Sequence, residues 1–233
     1  MVMYMVEKAF EQDAAQTERA RAVAEMFGLG MRGGTEAVVE RLAVRIGAGQ
    51  VVYITGGSGA GKSVILNALK EQMREGRQGG DGEEAERIEA GWGEVVDLAE
   101  VALPEGKAAV DCFGEVDLVV GLKWLSMAGL SEAPALVRRV ETLSEGQRYR
   151  LRLAVALARR PGAIVIDEFC AALDRVTAAV VAFNVRRCAD RLGMTFVVAT
   201  SQDDILEDLS PDVVVVKYLG SGGEVYYPKS IGG

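Results

Sequence analysis

An α/β fold, a mainly parallel sheet wrapped by helices on both faces, is what this sequence predicts. Three observations carry the prediction. Short apolar runs alternate with stretches of helical periodicity. One run, Val51-Val52-Tyr53-Ile54, feeds the string Gly56-Gly57-Ser58-Gly59-Ala60-Gly61-Lys62-Ser63. Another, Ala163-Ile164-Val165-Ile166, ends in Asp167-Glu168.

The elements follow in order. Residues 11–27 carry a helix-like pattern, with Ala15, Ala22, Val23 and Met26 among Glu and Arg. Leu42, Val44 and Ile46 alternate with Ala43 and Arg45, as in a half-buried strand. Gly47-Ala48-Gly49 turns the chain into the strand that precedes the glycine-rich loop, and a helix starts after Ser63. Residues 76–91, glycine-rich and of low complexity, read as a flexible surface loop with no assigned function. Strands are expected at Glu94–Leu98 and around Ala109–Cys112, and helices near 115–128 and 132–140. Phe196–Ala199 and Val213–Tyr218 read as buried strands, and Gly220-Ser221-Gly222-Gly223 as a turn into Glu224–Tyr227, closing a hairpin.

The 233 residues suit one domain with a sizeable core. With 49% hydrophobic and 26% charged residues the composition is that of an ordinary globular protein. A net charge of −8 argues against a generic nucleic-acid binder. Arg138, Arg139, Arg148, Arg150, Arg152, Arg159 and Arg160 do crowd one stretch. Solvated helix faces explain that crowding more simply than a nucleic-acid patch. Cys112, Cys170 and Cys188 form no C-x-x-C pair, and the chain has no histidine, so neither a disulfide scaffold nor a zinc site is expected. No apolar run reaches the ~18 residues of a membrane span, and Met1–Lys8 lacks the features of a signal peptide. A cytoplasmic protein without membrane insertion is the expectation.

The glycine-rich string fits G-x-x-x-x-G-K-S in the strand–loop–helix context that the motif requires. Glycines let the N–H groups of residues 57–63 (Gly57, Ser58, Gly59, Ala60, Gly61, Lys62 and Ser63) curl around a phosphate, and the helix adds its positive end. Lys62 is a point charge for the β- and γ-phosphates, and the Ser63 hydroxyl a ligand for Mg²⁺. Asp167 is expected at the carboxyl end of an inner strand beside this loop, holding Mg²⁺. Glu168 is then the base that polarises attacking water. Ser144-Glu145-Gly146-Gln147 matches a helix capping box, with Ser144 as N-cap and Gln147 three residues on. A capped helix start with exposed N–H groups is itself an anion site.

Taken together, these motifs and the string Leu143-Ser144-Glu145-Gly146-Gln147 resemble the ATP-binding cassette (ABC) ATPases, over roughly residues 25–227. Glu145 stands where the family signature usually has glycine. The resemblance implies a phosphate-loop NTPase fold of ABC type: a mainly parallel sheet core, an antiparallel β subdomain and a small helical subdomain over roughly 115–160, all within one domain of residues 1–233. It implies ATP hydrolysis with Mg²⁺ in a head-to-tail homodimer, where Ser144, Gly146 and Gln147 meet the nucleotide bound by the partner. Asp174, in Ala171-Ala172-Leu173-Asp174, resembles the D-loop aspartate that meets the other subunit. Phe27 is the candidate for the aromatic that stacks on adenine, with a core phenylalanine as the alternative. The family's Q-loop glutamine has no clear counterpart; Asp111-Cys112-Phe113-Gly114 sits about where it should be, which raises Cys112 in its place. The switch histidine is missing, and Gln202, in Ala199-Thr200-Ser201-Gln202-Asp203-Asp204, falls at that position. Glutamine can donate a hydrogen bond to the γ-phosphate but carries no proton, which points to slow turnover.

A narrower resemblance, in Leu143–Arg150, Asp167-Glu168-Phe169 and Ala199–Leu209, is to stand-alone ABC ATPases sometimes fused to an acetyltransferase domain. The implied function is an ATPase whose closure and opening drive an unidentified soluble partner. The alternatives are the ATP-hydrolysing subunit of a membrane transporter and a slow, nucleotide-dependent dimerisation switch. A chromosome-maintenance head is less consistent, since only 80 residues lie between Ser63 and Ser144, without sustained heptads.

Overall fold

The computed structural model describes residues 1–12, 17–28, 34–76 and 92–228, and for 10–12 and 34–37 the backbone alone. Two sheets make up the β structure. In the first, β1 (Val2–Gln12) pairs antiparallel with β2 (Gly34–Ile46), and α1 (Glu18–Phe27) lies between them in sequence. In the second, six strands run in the order β4-β5-β6-β3-β7-β8. These are β3 (Val51–Gly56), β4 (Val95–Asp97), β5 (Ala163–Ile166), β6 (Thr195–Ala199), β7 (Val213–Lys217) and β8 (Gly223–Tyr226). Only β8 is antiparallel to its neighbour. The mainly parallel core and the antiparallel β unit are both present.

The helices are α2 (Lys62–Glu75), α3 (Leu118–Met127), α4 (Ala133–Leu136), α5 (Glu145–Ala158), α6 (Arg175–Leu192) and α7 (Leu206–Leu209). The inner strands are buried on both faces, which is why they read as continuous apolar runs. Tyr53, Ile164, Ile166, Phe196 and Val198 face one core with Leu125, Leu151, Val181 and Val185 from α3, α5 and α6. Val52, Ile54, Val165 and Val197 face a second core, closed by Ile65, Leu66 and Leu69 of α2 and by Tyr4, Val6, Val44 and Ile46 of the antiparallel sheet. The β7–β8 hairpin latches the two sheets together. Glu40 N–H donates to Ser221 O (3.0 Å), the Ser221 hydroxyl to the Glu40 carboxylate (2.6 Å), and Arg45 N–H to the Tyr227 hydroxyl (2.9 Å).

Several expectations need correction. Residues 11–12 belong to β1, and the helix begins only at Glu18, where the Thr17 hydroxyl accepts from Ala20 N–H. The strand expected around Ala109–Cys112 is a 3-10 turn over Ala109–Asp111. Ala109 N–H and Val140 N–H are held by the carbonyls of Arg138 and Lys107, so the segment crosses the 138–140 segment at a single bridge rather than a ladder. The helix expected at 132–140 is one turn, α4, with Pro134 in its first turn, followed by a 3-10 turn at Val140–Thr142. The loop assigned to 76–91 lies, beyond Gly76, outside the described residues.

Candidate functional site

The parallel strands end level with one another: Ile166 pairs with Val198, and Val198 with Tyr53. Asp167 and the phosphate loop therefore leave the same edge of the sheet. They are not neighbours, however, because β6 lies between β5 and β3. Two strand spacings of roughly 4.8 Å separate them, which leaves a gap for a hydrated ion and a phosphate.

The loop that follows β3 is shaped by its glycines. At Gly56 (φ 144°) a Cβ would lie 2.1 Å from the Lys217 carbonyl oxygen on β7, so no side chain fits. Gly61, also at positive φ, caps α2 without any side-chain hydrogen bond, which leaves the first N–H groups of a 14-residue helix open to an anion. Lys62 folds back, and its ammonium donates to Gly56 O and Gly57 O, both at 2.9 Å. Ser63 is exposed at the mouth. Behind the loop lies Lys217, only 1% exposed, which donates to the carbonyls of Tyr218 and Gly220. Burial pushes its pKa below the usual lysine value. Its Cε lies 3.7 Å from where a Gly61 Cβ would stand. Sequence reading missed Lys217, because a lysine ending an apolar strand reads as a surface residue.

Asp167 and Glu168 are exposed, and the Asp167 carboxylate accepts from Glu168 N–H (3.0 Å). Glu168 has φ 49°, a left-handed conformation that is uncommon outside glycine. The two carboxylates line a cleft of about 460 Å³ together with Glu145, Arg148, Tyr149 and Arg152 of α5 and Ala171 and Ala172.

The signature turn forms the capping box read from the sequence. The Ser144 hydroxyl accepts from Gln147 N–H (3.2 Å), and Ser144 N–H donates to the Gln147 side-chain oxygen (3.0 Å). Gly146 packs against the segment after Glu168: a Cβ there would lie 3.0 Å from Ala172 O and 3.2 Å from Leu173 Cδ2. Asp174 caps α6, accepting from the Thr177 hydroxyl (2.6 Å) and N–H (3.0 Å), which hold its carboxyl below the usual range. Arg150 is buried and ties α5 to Gly129 O (2.5 Å) and Glu132 (3.1 Å), and donates within its own helix to Gly146 O (3.3 Å). Arg159 pairs with Glu94 (3.7 Å), and Arg160 lies over the Trp124 ring (5.8 Å). Arg150, Arg159 and Arg160 are thus taken up by internal contacts, while Arg148 and Arg152 line the cleft beside Asp167 and Glu168, and Arg138 and Arg139 are exposed.

The loop after β6 is drawn over the end of β3. The Tyr53 hydroxyl donates to Gln202 O, the Thr55 hydroxyl to Asp203 (3.0 Å), and Gln202 N–H to the Thr200 hydroxyl (3.1 Å). The backbone of Gln202 is thereby fixed next to the phosphate loop. Burial and the nearby Asp203 carboxylate push the Tyr53 phenol well above its ordinary pKa. Phe27 is 75% exposed at the end of α1, which removes the alternative of a core phenylalanine. Cys112 caps the 3-10 turn, its thiol donating to Ala108 O (3.4 Å); burial raises its pKa to about 11. It packs against the core beneath α3 and α5, and no hydrogen bond joins it to the nucleotide-facing edge. Among the described residues no three His, Cys, Asp or Glu side chains cluster as a metal site, and no helix is long and apolar enough to cross a membrane.

Residues 39–171, more than half of the chain, match the family model described as ABC transporter. The chain belongs to the ABC transporter family. It carries that family's ATPase cassette, and the matched span holds the phosphate loop, the signature turn and the Asp167–Glu168 pair, ending before Asp174 and Gln202. The cassette is 31% identical to methionine import ATP-binding protein MetN 1 of Rhodococcus jostii (strain RHA1), over 86% of this chain and 63% of that protein. It is also 31% identical to aliphatic sulfonates import ATP-binding protein SsuB 1 of Rhizobium johnstonii, over 89% of this chain and 78% of that one. The cassette spans about three fifths of the MetN proteins it matches. Its fold is that of the dimeric bacterial ABC transporter cassette MJ0796, with TM-score 0.67 over 97% of this chain and 98% of the other, at 18% identity. A post-hydrolysis dimer of MJ0796 bound to ADP and Pi gives the same score at 19% identity.

Proposed function

We propose that two copies of this cassette close head-to-tail around two ATP molecules with Mg²⁺ and open after hydrolysis. The observation that carries the reading is the uncapped start of α2 behind a loop that admits no side chain at Gly56 and little at Gly61, on the same sheet edge as Asp167 and Glu168. A triphosphate fits this cradle: the loop N–H groups and Lys62 neutralise its charge, once Lys62 leaves the carbonyls of Gly56 and Gly57. The Ser63 hydroxyl and the Asp167 carboxylate would hold Mg²⁺, which supplies further charge neutralisation at the β- and γ-phosphates. Glu168 accepts the proton of the attacking water. Gln202 donates its amide to the γ-phosphate. Ser144 and Gly146 N–H, with Gln147 closing their turn, bind the partner's nucleotide, and Asp174 lies at the same junction. Phe27 stacks on adenine. MJ0796, which shares the fold, is a dimer and also occurs in a post-hydrolysis state bound to ADP and Pi, which supports this arrangement.

The work done by closure is import across a membrane in the reading that the relatives favour, since MetN and SsuB are named as import ATP-binding proteins. Exposed Val116, Leu118, Val119 and Val120 at the start of α3 offer an apolar surface for such a partner. A soluble partner is the second reading, favoured by Cys112 and its neighbours, which supply no glutamine of the kind that links nucleotide to membrane helices. Fractionation of the native complex decides between them: recovery with a membrane protein supports import, recovery in a soluble assembly the second reading.

Glu168→Gln tests the chemistry. The amide keeps the size of the carboxylate but accepts no proton, so phosphate release should stop while ATP still binds and the dimer accumulates, as read by mass in solution. A variant that releases phosphate at the wild-type rate would remove Glu168 from its role.

A further inference from the structure

Glu168 and Cys170 both lie in the left-handed region, at φ 49° and 62°, with Phe169 between them. Neither is a glycine, so this stretch relaxes unless its surroundings hold it. No side chain among the described residues bonds the Glu168 carboxylate, so the backbone alone sets its aim. Two clamps reach that backbone from outside the turn. Phe169, fully buried, donates its N–H to Ala199 O at the end of β6 (2.8 Å). Cys170, also fully buried, donates its N–H to the Tyr149 hydroxyl (3.1 Å). The first clamp belongs to the sheet. The second comes from α5, five residues past Ser144, on the helix that presents the signature turn.

We infer that Tyr149 is a positioning residue for Glu168: by accepting the Cys170 N–H it fixes the carboxylate's aim and makes that aim depend on where the signature helix sits. Buried N–H groups are almost always paired, and here no other acceptor reaches Cys170. Burial raises the Tyr149 phenol well above its ordinary pKa, so it stays neutral and can serve as an acceptor across the physiological range. The helix that meets the partner's nucleotide is thus bonded two residues beyond the base that acts on the chain's own nucleotide. The inference rests on the reading of Glu168 as base.

The test is Tyr149→Phe, which keeps the ring and removes the acceptor. Steady-state phosphate release should show kcat about tenfold lower, with KM for ATP and ATP-driven dimer mass close to wild type and the melting temperature lowered by only a few degrees for the orphaned Cys170 N–H. In a Glu168→Gln background the same substitution should lower the residual rate no further, because Tyr149 acts through Glu168. A wild-type kcat in Tyr149→Phe overturns the inference, as does a fall matched by equal losses in KM for ATP or dimerisation. An additive loss in the double variant also overturns it. If Glu168→Gln alone hydrolyses normally, the proposed function fails first. If it is inactive and Tyr149→Phe is normal, only the role of Tyr149 falls.

Discussion

The phosphate loop and the signature turn are both helix starts that offer N–H groups to phosphate, yet they are built differently. The start of α2 has no side-chain cap, and its lysine rests on nearby carbonyls. The start of α5 is fully capped by Ser144 and Gln147 and carries the acidic Glu145 in its first turn. On the proposed function, the first takes a highly charged ligand on its own, and the second, a weaker anion site, gains one only when another subunit delivers it. That reading puts affinity and closure in separate parts of one chain, and substitutions should separate them.

Lys62→Ala should have the largest effect, lowering triphosphate affinity a hundredfold or more, on the order of 3 kcal/mol, by titration calorimetry. Melting temperature without nucleotide should hold, since the ammonium touches only the loop it serves. Wild-type affinity would break the comparison. Ser144→Arg should leave ATP binding to the monomer within about twofold and abolish ATP-driven dimer formation. Mixed with Lys62→Ala, it should recover partial phosphate release from one composite site per heterodimer; no recovery at any ratio would argue against shared sites.

Gln202→Ala should slow hydrolysis about tenfold, roughly 1.4 kcal/mol of transition-state stabilisation, with ATP affinity nearly unchanged. Gln202→His should keep or raise the rate and make it vary with pH about the imidazole value of roughly 6.5. The smallest effect is expected at the acidic signature residue. Glu145→Gln removes a negative charge from the helix end that must meet phosphate, and should favour the closed dimer by a few fold at low salt. The gain should fade at high salt, where exposed charges are screened.

How much of this was legible in the sequence follows from the range of the interactions. The phosphate loop, the capping box and the Asp167–Glu168 strand end are local patterns, and the structure places each on the element expected. β1 was not read, although Val2, Tyr4 and Val6 alternate with Met3, Met5 and Glu7. Its strand partner among the described residues, β2, pairs with it from Gln12–Gly34 out to Val2–Ile46, and no turn signal marks that pairing. The strand at Phe196–Ala199 was read, but its place as β6 between β5 and β3 was not, because strand order is a property of crossovers and not of any one segment. Tyr53 and Tyr149 were missed because their partners, Gln202 and Cys170, lie far away in sequence, and Lys217 because nothing local shows that the lysine ending an apolar strand is buried against Gly61.

The β7–β8 turn joins three things at once. Its carbonyls grip the Lys217 ammonium, its Ser221 is bonded to Glu40 of the antiparallel sheet, and the Lys217 side chain lies against the back of Gly61. Sheet, turn and phosphate loop are therefore tied to one another through four residues of one hairpin. A displacement of that hairpin would reach the phosphate loop and the antiparallel sheet together, whereas among the described residues none of the turn's bonds runs to α3, α4 or α5.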